Sequence, residues 1–173
     1  MHPSSLANMQ KARHHLIGLT ENSIILDVGG RGLETDRSYR SVFPEIGTYW
    51  VADIEHGLGV THLMPSPYTL PFEDDSIDVV VSGQTLEHVD NPFRLVSEMR
   101  RVLKPGHRMI LIAPSAGPRH DRRDCWRFQD NAFDAIAREC GLHTIADWID
   151  TSAPDERSAQ WRDHIFIGQK PGP

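Results

Sequence analysis

Cysteine is scarce in this chain of 173 residues: Cys125 and Cys140 are the only two, and no CxxC spacing occurs. Two thiols build neither a four-cysteine zinc site nor a disulfide framework, so both are expected free, as in a reducing compartment. Long apolar runs are also missing. None approaches the roughly 20 residues that a membrane span needs. The amino-terminal stretch MHPSSLANMQKARHHLIGL has no apolar core of the kind a signal peptide carries. The expectation is a soluble, cytoplasmic chain with no membrane partner. Positive charge is in deficit, with 18 Lys and Arg against 24 Asp and Glu and a net charge of −6. Phosphate backbones repel such a chain on average, which argues against a nucleic-acid partner. Ten histidines are present, but none shows a paired-ligand spacing such as HxxxH, and no metal is expected.

What the chain does have is alternation of strand-like and helix-like segments. SIILDV (23–28) is a continuous β-branched and apolar run, as in a strand buried on both faces. TYWVADI (48–54) reads as the second strand, 57–64 as a loop-rich stretch holding a short third, and SIDVVVSG (76–83) as the fourth. A short helix is expected over roughly 35–43, stopping before Pro44. Asn91-Pro92 opens a helix whose inward positions are Phe93, Val96, Met99, Val102 and Leu103. Lys104-Pro105-Gly106 should end it. HRMILIAP (107–114) reads as the fifth strand, Ser115–Arg127 as a polar loop, and 130–140 as a helix with Phe133, Ile136 and Ala137 inward, closed by Gly141. LHTIADWI (142–149) and DHIFIGQK (163–170) are two late strands without a helical crossover, hence an antiparallel pair. Residues 1–22 read as an N-terminal helical extension with Leu6, Met9 and Leu16 as apolar positions, 23–170 as one α/β domain, and 171–173 as a tail. Alternating strands and helices imply a mostly parallel sheet with right-handed crossovers.

Ligands of such sheets lie beyond the carboxyl ends of the strands, where the strand order reverses. Gly29, Gly30 and Gly32 follow the first strand there, and Asp53 ends the second, where a carboxylate accepts hydrogen bonds from ribose hydroxyls. This describes an adenosine-type pocket. Gly30 and Gly32 also match two of the three glycines of GxGxxG, with Asp53 near the usual offset of about 20 residues, which keeps an NAD-dependent oxidoreductase in contention. Glu34 and Asp36 would crowd a pyrophosphate with negative charge and suit a sulfonium cation better.

Longer motifs bear on this choice. ILDVGGRG (25–32), VADIEHG (51–57), LPFEDDSIDVVVSGQTLEHVDNP (70–92), RVLKPGHRMILIAP (101–114) and HIFIGQKP (164–171) together resemble the class I S-adenosylmethionine-dependent methyltransferases, in particular the type 11 methyltransferase family. The resemblance spans residues 23–170 and implies a single Rossmann-like methyltransferase domain, with a mostly parallel seven-stranded sheet and an antiparallel last strand. It implies S-adenosylmethionine as cofactor, with Asp27, Gly29 and Gly30 on its methionine side and Gly32 also among the cofactor-binding residues. Asp53 would hold the ribose, Ile54 would pack on adenine, and Ser82, Gly83 and Gln84 would border the sulfonium and amino-acid end. Arg31 and Leu33 occupy later glycine positions of the family's DxGxGxG pattern, so the loop is expected to close differently. Where the family places an acid before LPF, this chain has MPSPYT (64–69), and Ser66 is the polar side chain expected to substitute.

Methyl transfer needs an in-line acceptor, and positioning alone supplies several kcal/mol, about 7–11 at best. His88, in LEHV beyond the fourth strand, is expected to serve as general base. The loop RHDRRDCWRF (119–128) should rise over the same edge, and a similar DCWRF segment occurs in some bacterial methyltransferases associated with glycans and secondary metabolites. His120 and Asp124 are expected to face the acceptor. Arg119, Arg122, Arg123 and Arg127 offer forks for an anionic group, and Trp126 and Phe128 offer stacking surfaces. The expected reaction is O- or N-methylation of a small molecule, a sugar or natural-product intermediate. A non-catalytic binding module of the same fold is the alternative outside catalysis. With no lid insertion between core elements, the pocket is expected to be open, to accept a bulky substrate, or to be completed by a second subunit in a homodimer.

Overall fold

The apolar run at 23–28 forms β1 (Ile24–Val28) at the centre of a seven-stranded sheet in the computed structural model, which describes residues 3–32, 38–152 and 156–172. The other strands are β2 (Thr48–Asp53), β3 (His62–Leu63), β4 (Ile77–Gly83), β5 (Leu103–Pro114), β6 (His143–Ile149) and β7 (Asp163–Gln169). Their order is β3-β2-β1-β4-β5-β7-β6. The first five pair in parallel, and β7 runs antiparallel to both β5 and β6. The chain steps outward from β1 to β2 and β3, then returns to place β4 on the other side of β1. This reversal opens a crevice beyond the carboxyl ends of β1 and β4.

Both faces of the central strands are covered, which is why those segments read as unbroken apolar runs. Leu26, Val80, Leu111 and Phe166 face α2 (Pro92–Val102) and α3 (Ala132–Cys140). Their neighbours Ile25, Val79, Val81, Ile110 and Ile167 face the opposite layer, with Met9, Val42 and Phe43. Each such side chain contributes about 1.5–3 kcal/mol through burial. α2 starts where expected: the Asn91 side chain accepts from the Arg94 N–H at 3.1 Å, and Pro92 opens the first turn. Its buried stripe is Pro92, Leu95, Val96, Met99 and Val102. Phe93 falls off that stripe and is exposed, contrary to the expectation, while Leu95 takes the inward place. β5 begins at Leu103, not His107, because Leu103 pairs with Ile77 before an irregularity in register. α3 ends at Gly141, whose φ of +65° suits a residue without a side chain.

α1 (Pro3–Arg13) buries a mostly polar face, Ser4, Ser5, Asn8, Met9 and Ala12. Asn8 donates to Asp150 at 3.0 Å and to Asp163 at 3.2 Å, and Ser5 Oγ is 2.6 Å from Tyr39 Oη. Of the helix expected over 35–43, residues 33–37, with Leu33, Glu34 and Asp36, lie outside the described residues. The described part is a 3-10 turn, Tyr39–Val42, capped by Ser38. α4 (Glu156–Ala159) precedes β7. Among the described residues no helix is long and apolar enough to cross a membrane. Cys125 and Cys140 are free thiols.

Candidate active site

A cavity of about 830 Å³ lies at the crevice beyond β1, β2 and β4, within the range of about 300–1,000 Å³ usual for small-molecule sites. Glycines permit its shape. Gly29 turns the chain out of β1 with a φ of +78°, and a Cβ there would stand 2.2 Å from Thr85 Oγ1. A Cβ at Gly30 would stand 2.4 Å from Asp27 Oδ2, and one at Gly83 would stand 1.9 Å from Tyr39 Oη. A side chain at any of these positions would collide with Thr85, Asp27 or Tyr39 and force the cavity wall to shift.

Asp27 is fully buried at the turn. The Tyr49 hydroxyl donates to its Oδ2 at 2.8 Å, whereas Oδ1 has no hydrogen-bond partner. Burial pushes its pKa up to about 7, against the lowering effect of Tyr49 and of the Tyr39 backbone N–H. Asp53 closes β2 and accepts from the Glu55 N–H at 3.0 Å. Arg31, at a glycine position of the family pattern, lays its guanidinium 3.7 Å from Asp53 and 3.1 Å from Glu55. Gln84 has a φ of +58° and donates to Asp163 at 2.9 Å, so its amide is tied towards β7.

Eight expected cofactor residues line the cavity: Asp27, Gly29, Gly30, Gly32, Asp53, Ile54, Gly83 and Gln84. Two do not. Ser82 sits behind the floor, where its hydroxyl donates to the Val28 carbonyl at 2.8 Å and ties β4 to β1. Ser66 pairs with Thr69 Oγ1 at 2.8 Å, and Met64 and Pro67 form the wall instead. Arg31, Tyr39, Glu55, Thr85, Val89 and Leu95 also line the cavity without having been expected there. Thr85 and Val89 flank LEH, so the signal at that strand end was local; the approach of Tyr39 and Leu95 depends on packing.

The remaining wall joins the end of β4 to loop 115–127. Backbone groups clamp the two together: the Cys125 N–H donates to the Glu87 carbonyl at 2.7 Å, and Trp126 Nε1 donates to the Val89 carbonyl at 2.9 Å. His88 Nδ1 hydrogen-bonds the Arg123 carbonyl. His88, Asp121 and Arg123 therefore reach the cavity. Asp124 does not face it, contrary to expectation. Its carboxylate is fully covered, accepts a two-pronged bond from Arg127, and lies 2.8 Å from His120 Nδ1. The Arg127 bonds hold its pKa well below the usual carboxylate range. Arg127 is thereby committed to Asp124 and to the carbonyls of Gly117 and Pro118. Arg119 caps the carbonyls of Asp121 and Arg122. Arg122 is exposed and outside the lining, and Arg123 is the loop arginine inside it. Trp126 is exposed with its indole N–H engaged. Phe128 is buried and stacked on Phe133 at 5.2 Å, so it offers no surface to a ligand.

His120 also lies outside the cavity lining, but its ring centroid is 5.0 Å from that of His88, edge to face. Between these imidazoles and the core sits Glu87, with no exposed surface and no hydrogen-bond partner on either carboxylate oxygen. Burial raises its pKa to about 8. His88 Nε2 is 3.7 Å from Glu87 Oε1.

Residues 49–111 match the family model of the methyltransferase domain Methyltransf_11. An uncharacterized methyltransferase from Mycolicibacterium gilvum is 33% identical over 104 residues, covering 53% of this chain and 39% of the relative. The chain thus spans about two fifths of the length of that relative. A Haloferax volcanii methyltransferase solved with its Trm112 activator superposes with a TM-score of 0.69 at 21% identity, covering 95% of this chain and 91% of that one. An Aquifex aeolicus SAM-dependent methyltransferase gives 0.65 at 15% identity, over 96% and 93%. The structural likenesses establish the fold, and the sequence match lies on the segment that carries Asp53, Gly83 and His88. Over residues 49–111 the chain is thus similar in sequence to the methyltransferase domain family, and its fold is one that solved methyltransferases share.

Proposed function

We propose that the chain transfers a methyl group from S-adenosylmethionine to an oxygen or nitrogen of a small molecule. The observation that carries this reading is the buried Asp27 carboxyl at the glycine turn, with one oxygen unpartnered beside the cavity. A carboxyl there opposes a pyrophosphate and favours a cation. The cradle over Gly29, Gly30 and Gly83 fits the methionine side of the cofactor, and Asp53 fits its ribose. The exposed Ile54, with Met64 and Pro67, gives the adenine an apolar wall. S-adenosylmethionine supplies an activated methyl group on a sulfonium. The chain's own part is to orient cofactor and acceptor in line and to exclude competing water. His88, Asp121 and Arg123 form the acceptor side: Arg123 supplies a fork for an anionic group, and His88 handles the acceptor's proton, with His120 beside it.

Calorimetric titration with S-adenosylmethionine, S-adenosylhomocysteine and NAD tests the cofactor assignment. Micromolar binding of both sulfur nucleotides, with no heat from NAD, is expected. Binding of NAD alone would replace the reading with an oxidoreductase, and silence from all three would leave a fold without this activity.

A further inference from the structure

We propose that Glu87, His88 and His120 form a binding site for one divalent transition-metal cation at the acceptor side of the cavity. One donor atom from each of the three lies within 4.8 Å of the others. Around an ion with bonds of about 2.1 Å, donors stand about 3.0–3.5 Å apart. Side-chain rotation covers that difference. His88 is already at the cavity wall, so the site opens onto the space assigned to the acceptor.

Two independent features support a ligand here. Glu87 is a fully buried carboxyl with both oxygens unpartnered, and a buried group in that condition costs stability unless something satisfies it. Each imidazole is also oriented as a ligand would be. His88 is held through Nδ1 by the Arg123 carbonyl, and His120 Nδ1 lies 2.8 Å from the covered Asp124 carboxylate. Both rings therefore keep Nε2 free, fixed by a carbonyl and a carboxylate of the kind that orient metal-binding histidines. Asp124 acts as a positioning residue, with Arg127 holding it in turn.

Two imidazoles and one carboxylate favour zinc or manganese over magnesium or calcium, which prefer all-oxygen sets. Three protein donors leave open positions for an oxygen of the acceptor; with the ion bound, the His88 Nε2 lone pair is engaged, and the cation in place of the imidazole would acidify that oxygen. This last point rests on the methyltransferase reading and narrows the acceptor to a hydroxyl- or carboxylate-bearing molecule; the cation site itself does not depend on it.

The test is calorimetry of tag-free, chelator-stripped protein with Zn²⁺, Mn²⁺ and Mg²⁺ chlorides, each alone. One equivalent of zinc should bind at micromolar concentration or tighter, with manganese weaker and magnesium silent. Glu87→Gln and His120→Ala should each weaken zinc at least tenfold. Melting curves and S-adenosylhomocysteine titration of the same variants check that they fold; His120 lies on an exposed loop, so its variant remains informative if Glu87→Gln does not fold. No stoichiometric binding by the wild type, magnesium binding in place of zinc, or unchanged zinc affinity in His120→Ala would overturn the site. Zinc binding without S-adenosylhomocysteine binding would instead overturn the methyltransferase reading and leave the metal site standing.

Discussion

At the scale of single residues, Arg31 departs most plainly from the family pattern. It stands where the pattern has a glycine, and its guanidinium lies 3.7 Å from the carboxylate assigned to the ribose. Its other partner, Glu55, is largely exposed, so the pairing contributes little to stability, about 0–1 kcal/mol. A ribose bound at Asp53 competes with this guanidinium. Arg31→Ala should therefore tighten S-adenosylhomocysteine binding about two- to fivefold, roughly 0.4–1 kcal/mol, with little change in melting temperature. Weaker binding would show instead that Arg31 helps to hold the cofactor. The position was readable in the sequence because the glycine spacing is local. That the side chain reaches Asp53, 22 residues later, was not, since it depends on the pairing of β1 with β2.

Among the elements, loop 115–127 and the end of β4 work as one unit. Asp124 is its hub: it accepts from Arg127, from the His120 backbone N–H at 2.9 Å, and faces the His120 ring. Asp124→Ala removes all three contacts at once, and hydrogen bonds to charged groups are worth about 1.5–3 kcal/mol each. The loss should appear locally, as faster amide exchange across residues 119–128, while β1 and β4 stay protected and S-adenosylhomocysteine affinity stays within twofold. Uniform exchange in variant and wild type would show that other bonds hold the loop. The sequence made the strands legible because double-sided burial writes itself as apolar runs. It also made the glycine turn legible, because the motif is contiguous. The clamp was hidden: Val89 and Arg123 take part through backbone carbonyls, which carry no side-chain signature. Asp124 and Arg127 were therefore read as facing a ligand when they satisfy each other. The grouping of Glu87 with His120 was equally invisible to spacing, because 32 residues of α2, β5 and loop separate them.

For the molecule as a whole, the floor of the cavity sets how stability depends on pH. Asp27 lies against Tyr49, the Tyr39 N–H and the charge of Asp53, and its pKa rises from an ordinary 3.8 to about 7. Below pH 3.8 it is protonated in both folded and unfolded chains. Between 3.8 and about 7 the folded chain holds a proton that the unfolded chain has released, so stability falls with rising pH. Above about 7 both states are ionised and the loss is complete, amounting to about 4 kcal/mol. Glu87 acts in the same sense up to about pH 8, so Asp27 accounts for only part of the slope. Asp27→Asn keeps the shape and an acceptor for Tyr49 but cannot ionise. Its denaturation midpoint should lie near the wild-type value at about pH 4 and rise progressively above it between about pH 5 and 7, with the gap levelling off by about pH 8. Cofactor binding reverses the preference, because a cation beside Asp27 favours the ionised form. S-adenosylhomocysteine, which has lost the sulfonium charge but keeps the ammonium, should then bind the wild type more tightly as pH rises from about 5 to 7, and the Asp27→Asn substitution should flatten that rise. Parallel stability curves for the two proteins would mean that Asp27 titrates alike in the folded and unfolded chains, so that its burial neither raises its pKa nor shapes the pH dependence of stability.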